Sequence, residues 1–336
     1  MSKKKRLSPV LRSVFILLIV LVLAIALYLT VIFFNKPLAA PIVLDVQPTP
    51  TGTLAPTKTA QPQVLPVVKT CGQSGVMTYL VLASQHFFGN VDSGADFIRF
   101  VRIDFDHQTV RLIAIPDDIL VETPHLAAIN VAQSRLGIVY YQVEQISTGT
   151  PAEIQTAAST AVAQAIYDNY GVSADHYIYF DMEFIVTAID QLGGLDINIP
   201  AAVSDGAASF NPGEQHLDGV SVFHYARILP GGGEIVGGWN RMDRQNQIVK
   251  ALTAKLLEPA NIVKIPGLIQ QFRNNFTTDL SPDLITNLAC MADKVPQDQI
   301  TNVRVEQDMI IGEGPDNSMI ADTEKVKNFL QVQLAP

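Results

Sequence analysis

The chain has 336 residues, with 32 acidic side chains against 23 Lys and Arg and a formal net charge of −9. All of the acids lie beyond residue 34, while five of the bases (Lys3, Lys4, Lys5, Arg6 and Arg12) precede it, so the remainder carries a charge of about −14. A surface of that sign excludes direct DNA or RNA contact as the working mode, because backbone binding needs a basic footprint.

Residues 1–13 form a basic tail, and Val14–Phe34 is an uncharged run made almost wholly of Val, Leu, Ile, Ala and Phe. Its 21 residues are long enough to cross a bilayer core as a helix. The basic flank on its N-terminal side predicts a cytoplasmic N-terminus, one membrane span and an extracytoplasmic bulk. A cleaved signal is the competing reading, though the apolar run is longer than the usual signal core. Residues 35–75 hold seven prolines between Pro37 and Pro66 among many Thr, Gln and Ala, a composition that predicts a disordered spacer. Residues 76–336 suffice for one large domain with a substantial core. The two cysteines, Cys71 and Cys290, can pair in an external compartment and tie the domain entry to a late helix. The alternative is two unpaired thiols, with Cys290 buried as a small apolar group.

Within the domain, Met77–Ala83, Phe97–Asp104 and Val110–Ile115 have strand length, and Asp106-His107-Gln108 suits a hairpin between the last two. Apolar residues at helical spacing predict a helix over Pro151–Tyr170, closed by Gly171. His176–Phe180 is a short strand, followed by a helix capped by Asp181 and ended at Gly193-Gly194. Leu195–Ile199 is a strand, Asp218 begins a short helix through Tyr225, and a long helix is expected from Arg241 to Leu257. Pro282–Ala292 with Ser281 as cap, a strand near Ile300–Val305 and a helix over Asp322–Leu330 complete the pattern. Strands alternating with helices predict an α-β-α sandwich, and the early hairpin makes its central sheet mixed.

The order of HYIYFDMEFIVTAIDQLGGLDINIP (176–200), HLDGVSVFHYAR (216–227) and RMDRQNQIVKAL (241–252) resembles the LytR-CpsA-Psr family. ADFIRFVRIDFDHQTVRLIAIPDDI (95–119) and AAIN (127–130) are similar to that family's paired strands and its Lys-Ile-Asn motif. The core of the resemblance covers 76–258. It implies a membrane-anchored phosphotransferase that moves a glycopolymer from polyprenyl pyrophosphate to peptidoglycan, with an apolar groove for the lipid and Mg²⁺ at the pyrophosphate.

By the same resemblance Arg227, Arg241 and Arg244 would contact the pyrophosphate, and Asp96 would be a metal ligand and the catalytic base. Arg forks match phosphate oxygens, and a carboxylate suits Mg²⁺ shared with phosphates. With Arg241 and Arg244 at a helix start, backbone N–H groups would join them. Arg99, Asn130 and Gln245 are further cleft candidates, although Arg99 and Arg102 point to opposite faces of their strand, so at most one can reach the site.

Several positions depart from the family pattern. Gln85 stands in place of a metal-binding acid, Gly94, Ala128 and Leu229 replace cations, and Asp117 puts a carboxylate where a phosphate-binding arginine is usual. Each lost charge-assisted contact is worth about 1.5–3 kcal/mol. Two readings therefore stay open: an active transferase, or a catalytically impaired domain that binds lipid pyrophosphate or serves as an envelope scaffold.

Overall fold

The computed structural model describes residues 37, 39–46, 70–84, 94–228, 234–256, 258–262, 264, 267 and 276–335, with the backbone alone at 234–239, 259 and 262. The expected membrane span at 14–34 lies outside them, and among the described residues no helix is long and apolar enough to cross a membrane.

β1 (Val76–Ser84), β2 (Ala95–Asp104) and β3 (Thr109–Ile115) form an antiparallel meander. β4 (Leu120–Glu122) and β5 (Gln133–Arg135) form a small ladder around a 3-10 helix at Pro124–Ile129. Then come α1 (Leu136–Ile146), α2 (Pro151–Tyr170), β6 (His176–Asp181), α3 (Met182–Gln191) and β7 (Leu195–Ile199). After the short pair β8 (Val203–Ser204) and β9 (Ser209–Phe210), β10 (Gly213–Leu217) pairs with β7. α4 (Gly219–Arg227), α5 (Glu234–Leu256), β11 (Phe276–Thr278), α6 (Pro282–Lys294) and β12 (Ile300–Arg304) follow. The hairpin β13 (Ile310–Glu313) and β14 (Met319–Ala321) leads into α7 (Thr323–Leu334).

The main sheet has the order β11-β6-β1-β2-β3-β12. β6 runs parallel to β1 and β12 parallel to β3, whereas the other neighbours are antiparallel, so the sheet is mixed. Alternation along each strand sends Leu80, Leu82, Ile98 and Phe100 into one core with α1, α2 and α7. Ala83, Phe97 and Phe180 face the other way, onto α3 and α4. The helix starts obey capping chemistry: Asp181, Asp218 and Ser281 accept from the backbone N–H groups of Phe184, Ser221 and Leu284. Thr150 and Glu153 close a reciprocal capping box on α2.

Cys71 and Cys290 are joined (S–S 2.02 Å), so the domain is stapled from residue 71 rather than starting at 76. Part of the segment read as a disordered spacer is also ordered. Ala39 N–H donates to Thr278 O at 2.9 Å, Ile42 packs on the main core, and Asp45 N–H donates to Gln164 Oε1 at 2.8 Å. Apolar and backbone groups there find partners on α2 and the sheet edge, which the Pro-rich composition does not reveal.

A second difference concerns α5. Arg241 and Arg244 do not open that helix, because it begins at Glu234 and runs straight through Gly237-Gly238. An interior glycine costs about 1 kcal/mol relative to alanine, too little to stop a 23-residue helix packed on α4 and β7. The helix-start N–H groups are thus not beside these arginines.

Candidate functional site

The site forms where β2 begins and β3 ends. Ile98 pairs with Ile115, so the register sets Asp96 across from the Pro116-Asp117-Asp118 turn. Two glycines allow the close approach of α1 to this corner. A Cβ on Gly137 would lie 2.7 Å from Ala95 O and 3.0 Å from Asp117 Cβ, and Gly137 N–H donates to Asp117 O at 2.8 Å.

Arg241 reaches this corner from α5. Its Nη2 donates to Asp117 Oδ1 at 2.5 Å and to Asp118 Oδ2 at 3.0 Å, while Arg135 Nη1 meets Asp118 Oδ1 at 3.4 Å. Arg241 Nε is buried without a partner among the described residues. The Asp117 and Asp118 charges keep Arg241 firmly protonated, Asp117 most of all, against the opposing effect of burial. Burial raises the Asp96 carboxyl, Arg241 and Arg227 pull it down, and Asp118 pushes it up. Burial likewise pushes Asp117 upward; Arg241 opposes this, and Asp118 and Asp96 add to it. Three carboxylates and three guanidinium groups thus share one corner, where the charges of the others act on Asp96 and Asp117.

Arg227, in the last turn of α4, lies with Cζ 5.1 Å from the centre of the Phe223 ring. Phe223 is also a wall of an almost wholly apolar groove between the sheet and α3, α4 and α5. Phe97, Phe180, Ile185, Phe223, Gln245 and Leu252 are among its lining residues. Gln245 joins groove to corner, since its Nε2 donates to Asp96 O at 3.4 Å.

The remaining sequence candidates fall elsewhere. Arg244 Nε donates to Tyr225 O at 2.9 Å and its Nη2 to Ile228 O, so this arginine fastens the end of α4. Arg99 is 1 % exposed on the sheet face toward α5; its Nη1 donates to Asn246 Oδ1 at 2.5 Å, and its Nε and Nη2 have no partner among the described residues. Burial lowers its pKa to about 9. Arg102 lies on the opposite face with Ala335 O, as strand alternation requires. Asn130 ends the 3-10 helix in left-handed conformation (φ 62°), and it is a turn residue rather than part of the corner. Gln85 and Leu229 lie outside the described residues. Sequence reasoning passed over Asp118 and Arg135 as site residues; Asp118 stood in the quoted Ile-Pro-Asp-Asp run, while Arg135 carries no local signal.

Mg²⁺ at this corner would be held by Asp96 together with phosphate oxygens, the sparse protein ligation usual for this ion. The donor set fits only that mode, because Asp117 and Asp118 are engaged by Arg241 and no group of three Asp, Glu, His or Cys among the described residues is placed to hold a metal.

An α/β domain with a mixed sheet thus carries an apolar groove that ends at a cluster of arginines and aspartates. The chain belongs to the LytR_cpsA_psr family, whose model matches residues 77–333. It is 30% identical over 130 residues to the polyisoprenyl-teichoic acid–peptidoglycan teichoic acid transferase TagU of Oceanobacillus iheyensis, a match covering 38% of this chain and 40% of that protein. With TagV of Bacillus subtilis it shares 23% identity over 197 residues, 55% of this chain and 45% of the relative. The chain thus spans less than half the length of these two relatives. Among solved structures, the LytR-Csp2A-Psr enzyme from Actinomyces oris superposes with a TM-score of 0.60 at 18% identity, covering 89% of this chain and 96% of that one. The fold is the same.

Proposed function

We propose that the chain is an extracytoplasmic domain, anchored in the cell membrane by residues 14–34, that binds a polyprenyl-pyrophosphate-linked glycopolymer and transfers it to peptidoglycan. The observation that carries this reading is the continuity of groove and charge: Gln245 lines the groove and also donates to Asp96 O. Phe223 likewise lines the groove and carries Arg227 on its ring. A prenyl chain in the groove would deliver its pyrophosphate to Arg227 and Arg241, with Asp96 beside them. Arg244 positions Arg227 by holding the α4 terminus. The names of the two relatives, which specify teichoic acid transfer to peptidoglycan, support the same substrate class.

In the transfer, an acceptor hydroxyl oxygen bonds to the glycan-side phosphorus and the bridging P–O bond breaks. Polyprenyl phosphate leaves, and the hydroxyl proton passes to a carboxylate of the Asp96 corner. Phosphoryl transfer of this kind relies mostly on positioning and charge neutralisation. Mg²⁺ would supply part of that neutralisation when bound.

A second reading, binding without turnover, draws on the pairing of Arg241 with Asp117 and Asp118. The test is a transfer assay with a polyprenyl-pyrophosphate glycan and peptidoglycan, with and without Mg²⁺. Mg²⁺-dependent release of polyprenyl phosphate is the expected result. Retained lipid binding with no transfer would leave the second reading in force.

A further inference from the structure

The ion pair of Arg241 and Asp117 has the form of a ligand complex whose ligand is part of the chain. A carboxylate presents its oxygens to a guanidinium fork much as a phosphoryl group does. The two acids on Arg241 Nη2 are not equivalent. Asp118 also receives Arg135, and its carbonyl accepts from Met319 N–H at 2.8 Å, so it stays held when Arg241 turns to another anion. The Asp117 carboxylate sits in an ion pair with Arg241 alone among the described residues, while its backbone is fixed by Gly137 N–H. The Asp117 side chain can therefore leave Arg241 without any movement of the backbone, whereas Asp118 remains where Arg135 and Met319 N–H hold it.

We propose that Asp117 is a built-in competitor for Arg241: a ligand phosphoryl group binds by displacing the Asp117 carboxylate, and Asp117 thereby sets the affinity and the selectivity of the anion site. This rests on the reading of Arg241 as a pyrophosphate ligand. Displacement costs a buried ion pair, so an anion must return several contacts to succeed. A prenyl pyrophosphate does so, with oxygens for Arg227 and Arg241 and a chain in the groove. Inorganic phosphate or a simple carboxylate replaces one oxyanion by another and gains little. Asp117 is in these terms a specificity-determining residue that keeps small anions out.

The experiment measures binding of geranylgeranyl pyrophosphate and of inorganic phosphate to the full chain in lipid nanodiscs containing Mg²⁺, by calorimetry. Asp117→Asn should bind the prenyl pyrophosphate about tenfold to a hundredfold more tightly than wild type and acquire measurable phosphate binding. Asp118→Asn should change affinity less, since Arg135 shares that acid. Asp117→Ser removes the same charge and serves if the asparagine variant does not fold. Unchanged or weaker binding in the Asp117 variants, with binding lost in Arg241→Met, would overturn the competitor and leave the site reading intact. Wild-type binding that Arg241→Met does not alter would remove the site reading and the competitor together.

Discussion

Gly94 and Gly137 meet so closely that a Cβ on Gly94 would stand 1.9 Å from the carbonyl oxygen of Gly137. The backbone at the start of β2 has therefore closed over the place where the family pattern carries an arginine. Gly94→Arg cannot restore a cation to this corner without moving α1. The variant should lose about 1–3 kcal/mol or more of stability, as overpacked sites do, with no gain in pyrophosphate affinity. Denaturant unfolding and calorimetry check both parts.

Arg244 makes two bonds to carbonyls at the end of α4, where helix termini leave acceptors unsatisfied. Arg244→Met should cost about 1.5–3 kcal/mol, the worth of hydrogen bonds to a charged group. Arg244→Lys should recover little of it, because an ammonium cannot span both oxygens as a planar fork does. Thermal unfolding of the two variants gives the comparison, and prenyl pyrophosphate affinity should fall with both as Arg227 loses its support.

Arg99 is a cation buried against Phe97 and Asn246 with two N–H groups unpartnered among the described residues. Replacing such a group by an apolar side chain of similar length removes a desolvation penalty, so Arg99→Met should raise stability by about 1–4 kcal/mol at neutral pH. Burial holds the folded-state pKa near 9, below the ordinary range of an arginine, so above that pH the unfolded chain binds more protons than the folded one. Wild-type stability should then rise relative to Arg99→Met as the pH climbs above 9. Urea unfolding of both proteins across that range tests the sign.

The Cys71–Cys290 bridge closes a separation of 219 residues. Its removal in Cys71→Ser/Cys290→Ser should destabilise the domain by about 2–5 kcal/mol. Non-reducing mass mapping and unfolding with and without reductant provide the measurement.

The layers of the fold were legible because each major strand and capped helix carries its own local signal. Asp181, Asp218 and Ser281 stand where caps belong, and the apolar spacing of 151–170 marks α2 to the residue. α1 was not legible: LGIVYYQVEQI mixes β-branched and aromatic residues and becomes a helix through packing on β2 and α2. The N-terminal extension of α5 was hidden by its glycine pair. At the site, the family motifs named Asp96, Arg227 and Arg241, which act on one another through space. They could not show that Asp117 turns to Arg241, since 124 positions separate the two and only strand register and helix packing bring them together.

The docked segment 39–46 has a consequence for reach. With the anchor expected at 14–34, only residues 35–38 remain as leash between the bilayer and the first contact on β11, no more than about 14 Å of extended chain. An anchor at 14–34 would therefore moor the domain at the membrane face instead of letting it swing on a long tether. On the proposed function, a prenyl chain would then enter the groove close to the leaflet that holds it, and an acceptor strand would have to come down to the domain.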